Sequence, residues 1–324
     1  MDARSNSALR LLDRRLQITY RNAANSAIRD NRAAIAGLTR FDESQYPGYD
    51  ESAMQSMQMI YANWRVNEAS RPGGLLPLIV AAMAVCGISA GSAIQREYFT
   101  VYMSGFFVLV GGVNHELPFG VNMPIPTQAQ LHLLMEQAPQ SPFTQIAFDG
   151  LGLRDMASQQ KAITLLQGQM RQAIINGDSF DQIVNRIQGF FNHGDVGLNR
   201  ARMIARTEIN RLANQGREAA WQFSNAIGIE TEKIWIHTGR SEAPRDDHMD
   251  MSGVAADADG YFTLPSGARG RYPGDPQLPA REVINCTCSF VGRVKSPRAV
   301  TQSYIDNATR AIMLDEAGIT AIGR

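Results

Sequence analysis

The sequence predicts a mostly α protein: a helical N-terminal module followed by a small α+β C-terminal domain. Two observations carry this. Apolar residues recur at three- and four-residue steps through most of the chain up to about residue 225. Beyond Gly228 the composition changes to Gly, Pro and Asp around short strand-like segments, the pattern of strands packed on helices. An apolar share of 44% with 19% charged residues places all 324 residues among folded chains rather than disordered ones.

In chain order, Asn6 to Leu38 reads as a helix through Leu9, Leu12, Leu16, Tyr20, Ala23, Ala27 and Ala34. Arg10, Arg14, Arg21 and Arg32 cluster on another face, a solvated face first and the best local candidate for meeting phosphate second. Asp42 to Gly48, with Pro47, reads as a linker, and a Met-rich helix from Glu51 to Ala69 is broken by Arg71-Pro72-Gly73-Gly74. Leu75 to Ile94 carries no charge and has the length of a membrane span. It is rich in Ala, Gly and Ser and contains Pro77, so a buried helix is expected instead. Tyr98 to Val113, interrupted by Ser104, Gly105, Gly111 and Gly112, is expected to form a strand pair from its β-formers. The competing reading of these two runs is a membrane hairpin.

Asn114 to Gly150 is Pro-rich around one short helix near Gln128 to Gln137 and reads as an arm. Asp155 to Ile175 is an amphipathic helix. Asn176-Gly177-Asp178-Ser179 ends it and caps the next, which His193-Gly194-Asp195 closes. Asn199 to Asn225 is the longest helix signal of this half. A strand follows at Lys233 to Thr238, and a helical tail runs from Arg298 with Ile305, Ala308, Ile312 and Met313 in register. The expected division is therefore 1–150, 151–295 and 296–324, with 151–295 folding on its own and 1–150 poorly ordered or extended.

Composition narrows the function classes. Lys+Arg and Asp+Glu balance at 31 each, so no global charge excess drives the chain onto nucleic acid. Cys86, Cys286 and Cys288 are too few and wrongly spaced for a disulfide framework, which points to a reducing compartment. The N-terminus has no apolar core of a secretory signal. No Walker sequence, Gly-x-Ser-x-Gly or His-Glu-x-x-His is present.

Five landmarks stand out in order: Ile204 to Asn210 with Arg206-Thr207-Glu208, Trp235 on its strand, Pro244-Arg245-Asp246-Asp247-His248 leading to Gly253, Pro273-Gly274-Asp275-Pro276, and Ile284-Asn285-Cys286-Thr287-Cys288. Together, over residues 155 to 293, they resemble the C-terminal domain of the phage Mu F-like minor head proteins. The chain departs at Thr287, where the family often has a basic residue, and at Gly239 to Glu242, where it often has an Asp. The resemblance implies a structural virion protein rather than an enzyme, one that joins the procapsid near the portal during head morphogenesis. It implies as partners the portal protein and the major capsid or scaffolding protein, with double-stranded DNA as a further contact. No small-molecule substrate is expected. The alternatives are a metal-assisted nuclease or hydrolase, and a membrane-active virion protein delivered with the DNA.

The residues themselves suggest a polar network of Arg206, Thr207, Glu208, Asn210, Trp235, Arg245 and His248. Arg202 and Arg206 share a helix face at i, i+4, Glu208 and Arg211 can pair at i, i+3, and Asn210 and Asn214 lie beside them. Such a helix suits anchoring of the irregular segment that follows. The catalytic alternative uses Glu208 with a substrate-orienting Arg, or converging Arg245, His248, Glu208 and Glu282, with His237 and His248 flanking one loop. His248, Cys286 and Cys288 are candidate zinc ligands, with Asp246, Asp247 or Asp250 for the fourth position. Cys-x-Cys is not the usual knuckle spacing, and the preceding helices offer a docking face, so no metal is the expected state.

Overall fold

The structure, a computed structural model, describes residues 3–38, 42–45, 50–149, 153, 155–193, 197–239, 244–297, 300–302 and 305–306. Their helices are α1 (Ala3–Asp30), α2 (Arg32–Ala36), α3 (Glu51–Ala69), α4 (Leu75–Arg96), α5 (Tyr98–Glu116), α6 (Gln128–Gln137), α7 (Pro142–Phe148), α8 (Met156–Asn176), α9 (Phe180–His193), α10 (Leu198–Ala226), α11 (Asp246–Asp250) and α12 (Ala280–Val283). The strands are β1 (Thr231–Ile236), β2 (Phe262–Thr263), β3 (Arg269–Gly270) and β4 (Ser289–Val294). The fold is mostly α with its strands confined to the C-terminal region. Most of the described residues before 150 are helical. Pro47, the closing Gly194-Asp195, the departure at Arg240 to Glu242 and most of the expected helical tail lie outside the described residues.

The chain divides into two compact units. One comprises Asp13–Ala93 and Ile146–Arg202. Here α8 packs against α3 and α9, and α2 against α9. Local rules set the joints. Asp155 accepts a hydrogen bond from the Ser158 amide at 2.8 Å and starts α8. Gly177, at φ 68°, ends it in the left-handed conformation. Arg14, Arg21 and Arg32 are exposed, with Arg32 stacked 4.7 Å over the Phe180 ring.

The other unit comprises Met1–Leu12, Ile94–Gln145 and Met203–Arg324. β1 and β4 pair antiparallel, with Trp235 opposite Phe290 and Lys233 opposite Gly292. α5 packs on β4. Tyr102, Phe106, Leu109, Val110 and Val113 of α5 share one buried core with Phe223, Trp235, Phe262, Tyr272 and Phe290. The strand pair expected at Tyr98 to Val113 is therefore a helix. Gly105 and Gly216 are the contact points at which the α5 and α10 backbones touch. A Cβ on Gly105 would lie 1.9 Å from the Ala213 carbonyl oxygen, and one on Gly216 would lie 2.0 Å from that of Tyr102. Tertiary contact thus overrides β propensity.

The run Leu75–Glu116 is long and apolar enough to cross a membrane, and half of its most apolar window is buried within the protein. The buried face of α5 is the one facing β4 and α10, the pattern of a core helix.

The place of α5 leads to a prediction. Burial of Phe106 and Leu109 contributes about 1.5–3 kcal/mol each, a large part of the about 5–15 kcal/mol typical of a whole domain. A fragment of residues 151–295 is expected to show no cooperative thermal transition and to bind a hydrophobic dye. A transition matching that of the full chain would contradict the role assigned to α5.

Candidate functional site

Two polar clusters occupy this unit, both on or beside α10. The first is centred on Glu208, which is fully buried. Its Oε1 accepts from Ser141 Oγ at 2.5 Å and from Arg211 Nε at 3.0 Å. Its Oε2 accepts from Thr144 Oγ1 at 2.6 Å, Tyr98 OH at 3.1 Å and Arg211 Nη2 at 3.1 Å. Burial pushes this carboxyl up, but Arg211 and the two hydroxyls outweigh it and hold it below the usual range. A carboxylate with five donors around it has no lone pair left to take a proton from a substrate. Arg211 also donates to Gln215 Oε1 at 2.9 Å, and Gln215 donates to the Pro139 carbonyl at 3.1 Å. The network ties α10 to α5 and to the Pro139–Thr144 segment.

Arg206 stands outside it. Its side chain is exposed, and Arg211 holds the position that was expected of it. Tyr98, Ser141 and Thr144 were not anticipated. They come from at least 64 residues away in sequence, and nothing in their neighbourhood marks them. A buried Lys233–Glu218 pair at 2.8 Å was likewise unforeseen.

The same helix grips the cysteine segment. Thr207 Oγ1 accepts from the Asn285 amide at 3.1 Å, at a residue whose φ of 56° is left-handed. Asn210 and Asn214 donate to the Cys288 carbonyl at 3.1 and 2.9 Å. Asn214 also donates to the Pro273 carbonyl at 2.8 Å and so reaches the Pro-Gly-Asp-Pro turn. Half-buried Arg245 donates to the Ile284 carbonyl at 2.6 Å.

The second cluster contains His248, Cys286 and Cys288, all buried, with donor atoms within 4.8 Å of one another. Cys286 and Cys288 precede β4, and both bring their sulfurs to His248 Nδ1. Thr287 turns the other way, to Thr238 Oγ1 at 3.2 Å. His248 Nδ1 lies 3.5 Å from Cys286 Sγ and 3.6 Å from Cys288 Sγ. Its Nε2 meets Glu282 Oε2 at 3.1 Å. Trp235, fully buried, sets its ring edge-on to the imidazole at 5.7 Å between centroids. Half-buried His237 brings its Nδ1 to 3.5 Å from Cys288 Sγ. Asp246, Asp247 and Asp250, expected to offer a fourth ligand, do not join the group, and His237 touches it only through Cys288.

The Cys286 thiol, hydrogen-bonded to Cys288, pulls the Cys288 thiol down to about 4 against the effect of burial, aided by His248 and His237. The same hydrogen bond and burial push Cys286 well above the usual thiol range. Burial opposes charge on His248, but Cys288 and Glu282 outweigh it and raise its pKa. The partners of Glu208 and those of His248 share no residue, so the converging acid–base set expected of a hydrolase is split between two places.

Residues 164–291 match the family model described as Phage Mu protein F like protein. Over that span the chain is similar to the phage Mu F-like proteins. The match starts within α8, ends within β4, and contains all seven residues of the expected network and both cysteines of the second cluster. It leaves out Tyr98, Ser141 and Thr144, which complete the environment of Glu208. The chain is also 29% identical over 121 residues to the uncharacterized protein YqbB of Bacillus subtilis (strain 168). That alignment covers 37% of this chain and 38% of YqbB, so the chain spans well under half the length of that relative. No solved structure matches.

Proposed function

We propose that this protein is a structural minor head component of a phage or prophage, acting in head morphogenesis and residing in the virion. The Mu F-like match over residues 164–291 is the observation that carries the reading. The interior supports it: Glu208, Arg211 and Asn214 use their hydrogen-bonding capacity on the protein's own chain, as in a scaffold rather than a turnover site. In this reading the protein joins the procapsid near the portal. It contacts the portal protein and the major capsid or scaffolding protein, and it lies where packaged double-stranded DNA passes. With Lys+Arg and Asp+Glu equal at 31, any DNA contact is local, and the exposed Arg14, Arg21 and Arg32 are its strongest candidates.

Co-expression with the portal, scaffolding and major capsid proteins of its own phage tests this. The protein is expected to sediment with the assembled shells and to be lost from them when the portal is omitted. Sedimentation only at the position of free protein, with the portal present, would contradict the proposal.

A further inference from the structure

We propose that the Mu F-like domain binds one structural zinc ion, held by Cys286 Sγ, Cys288 Sγ and His248 Nδ1, with His237, whose Nδ1 reaches Cys288 Sγ, moving in to close the fourth position. This assignment stands on side-chain geometry and is independent of the role in head assembly.

Three observations converge. The first is spacing. A tetrahedral zinc with Zn–S of about 2.3 Å and Zn–N of about 2.0–2.1 Å sets its sulfur and nitrogen ligands about 3.5–3.6 Å apart. The nitrogen-to-sulfur separations are 3.5 Å and 3.6 Å from His248 and 3.5 Å from His237. The second is the far side of the imidazole. His248 Nε2 faces Glu282 Oε2 at 3.1 Å, while Nδ1 on the other side of the ring is turned toward both sulfurs. Two sulfurs and an imidazole nitrogen facing one another are a ligand set that a soft cation satisfies at once. A carboxylate fixing the outer nitrogen is the usual support of a zinc-bound histidine. The third is what the ligands join. His237 follows β1, His248 lies on the five-residue α11, and the cysteines lead into β4. Among the described residues between His248 and Cys286, the elements are two-residue strands and the four-residue α12. Short elements of this kind are where a metal supplies order that local structure does not.

The Cys-x-Cys spacing, unusual for a turn-borne knuckle, is accommodated here because both sulfurs reach the same nitrogen, His248 Nδ1, at 3.5 and 3.6 Å. Binding releases to solvent the protons that the ligand atoms carry and leaves both sulfurs as thiolate ligands.

Full-length protein expressed in zinc-supplemented medium is expected to carry about one zinc per chain by elemental analysis. Chelator should lower its melting temperature, and zinc should restore it. A Cys286→Ser/Cys288→Ser variant should lose the metal. Because that variant can fail to fold, the wild-type chain is also stripped and titrated with cobalt(II) alone. A thiolate-to-cobalt charge-transfer band with tetrahedral d–d absorption is expected. Glu282→Gln should keep that spectrum and weaken metal affinity about 10–100-fold. His237→Ala should shift the d–d bands while keeping the thiolate band. A zinc content at background, a melting temperature indifferent to chelator, or a cobalt spectrum without thiolate character would each overturn the proposal.

Discussion

Glu208→Ala is expected to lower stability by about 3–5 kcal/mol, the range for removing one member of a buried ion pair. The size follows from what stays behind. Arg211 is buried, and two of its three guanidinium nitrogens donate to Glu208. Without the carboxylate, Arg211 loses its counter-charge, and Ser141 and Thr144 lose their charged acceptor, at a buried position. Arg211→Ala should be similarly severe, because it leaves a buried carboxylate without its counter-charge. A Glu208→Leu/Arg211→Met variant should recover much of the loss, since paired apolar replacement removes the desolvation penalty of both charges. Arg206→Ala, at an exposed position of the same helix, should stay within about 0.5 kcal/mol of wild type. The pH dependence has a definite sign. The folded pKa of Glu208 lies below its ordinary value. Its contribution is therefore complete above the unfolded value of about 4.3 and is lost as pH falls through the folded one. Denaturant melts of the four variants decide the matter. A Glu208→Ala chain as stable as wild type would remove the anchoring role.

Gly105→Ala and Gly216→Ala are each expected to destabilise the chain by about 1–3 kcal/mol or more, the range for forcing extra carbon into a filled core. The sign is what discriminates. Within an exposed helix, Gly→Ala ordinarily stabilises by about 0.5–1 kcal/mol. Gly168 in α8 has open space around its missing Cβ, so Gly168→Ala should show that ordinary gain. At Gly105 and Gly216 the obstacle is main chain, which has no rotamer to change. A methyl there must part α5 from α10 and open the core that holds Phe106, Phe223 and Trp235. Thermal melts of the three variants provide the comparison, and a gain in stability at Gly105 would mean that the two helices do not meet there.

Much of the fold was legible because local rules agreed with tertiary packing. The apolar spacing of α8, α9 and α10 and the capping residues Asp155 and Gly177 appear in the sequence as they do in space. Tyr98 to Val113 misled because its aromatic and β-branched residues favour strands by themselves. What holds the segment as a helix is close backbone contact with α10, Gly105 against Ala213 and Gly216 against Tyr102, more than a hundred residues away. In the Glu208 network, the pairing with Arg211 was readable from i, i+3 spacing. Arg206 is two positions from Glu208, about 200° around the helix, and so points away from it. The hydroxyls of Tyr98, Ser141 and Thr144 follow no spacing rule relative to Glu208. In the second cluster the three residue types were readable, but the fourth neighbour was not. His237 precedes α11 by a loop whose path the sequence does not specify, so the aspartates beside His248 were the nearer choice on paper.

Purified heads test the structural role most directly. Particles recovered after induction of the phage, treated with nuclease and washed at high salt, are expected to contain this chain by mass spectrometry. It should be absent from heads made without a portal. Finding it only in the soluble lysate, where the purified protein cleaves DNA and Glu208→Ala or His248→Ala abolishes cleavage without changing the melting temperature, would contradict the structural role and establish an enzyme.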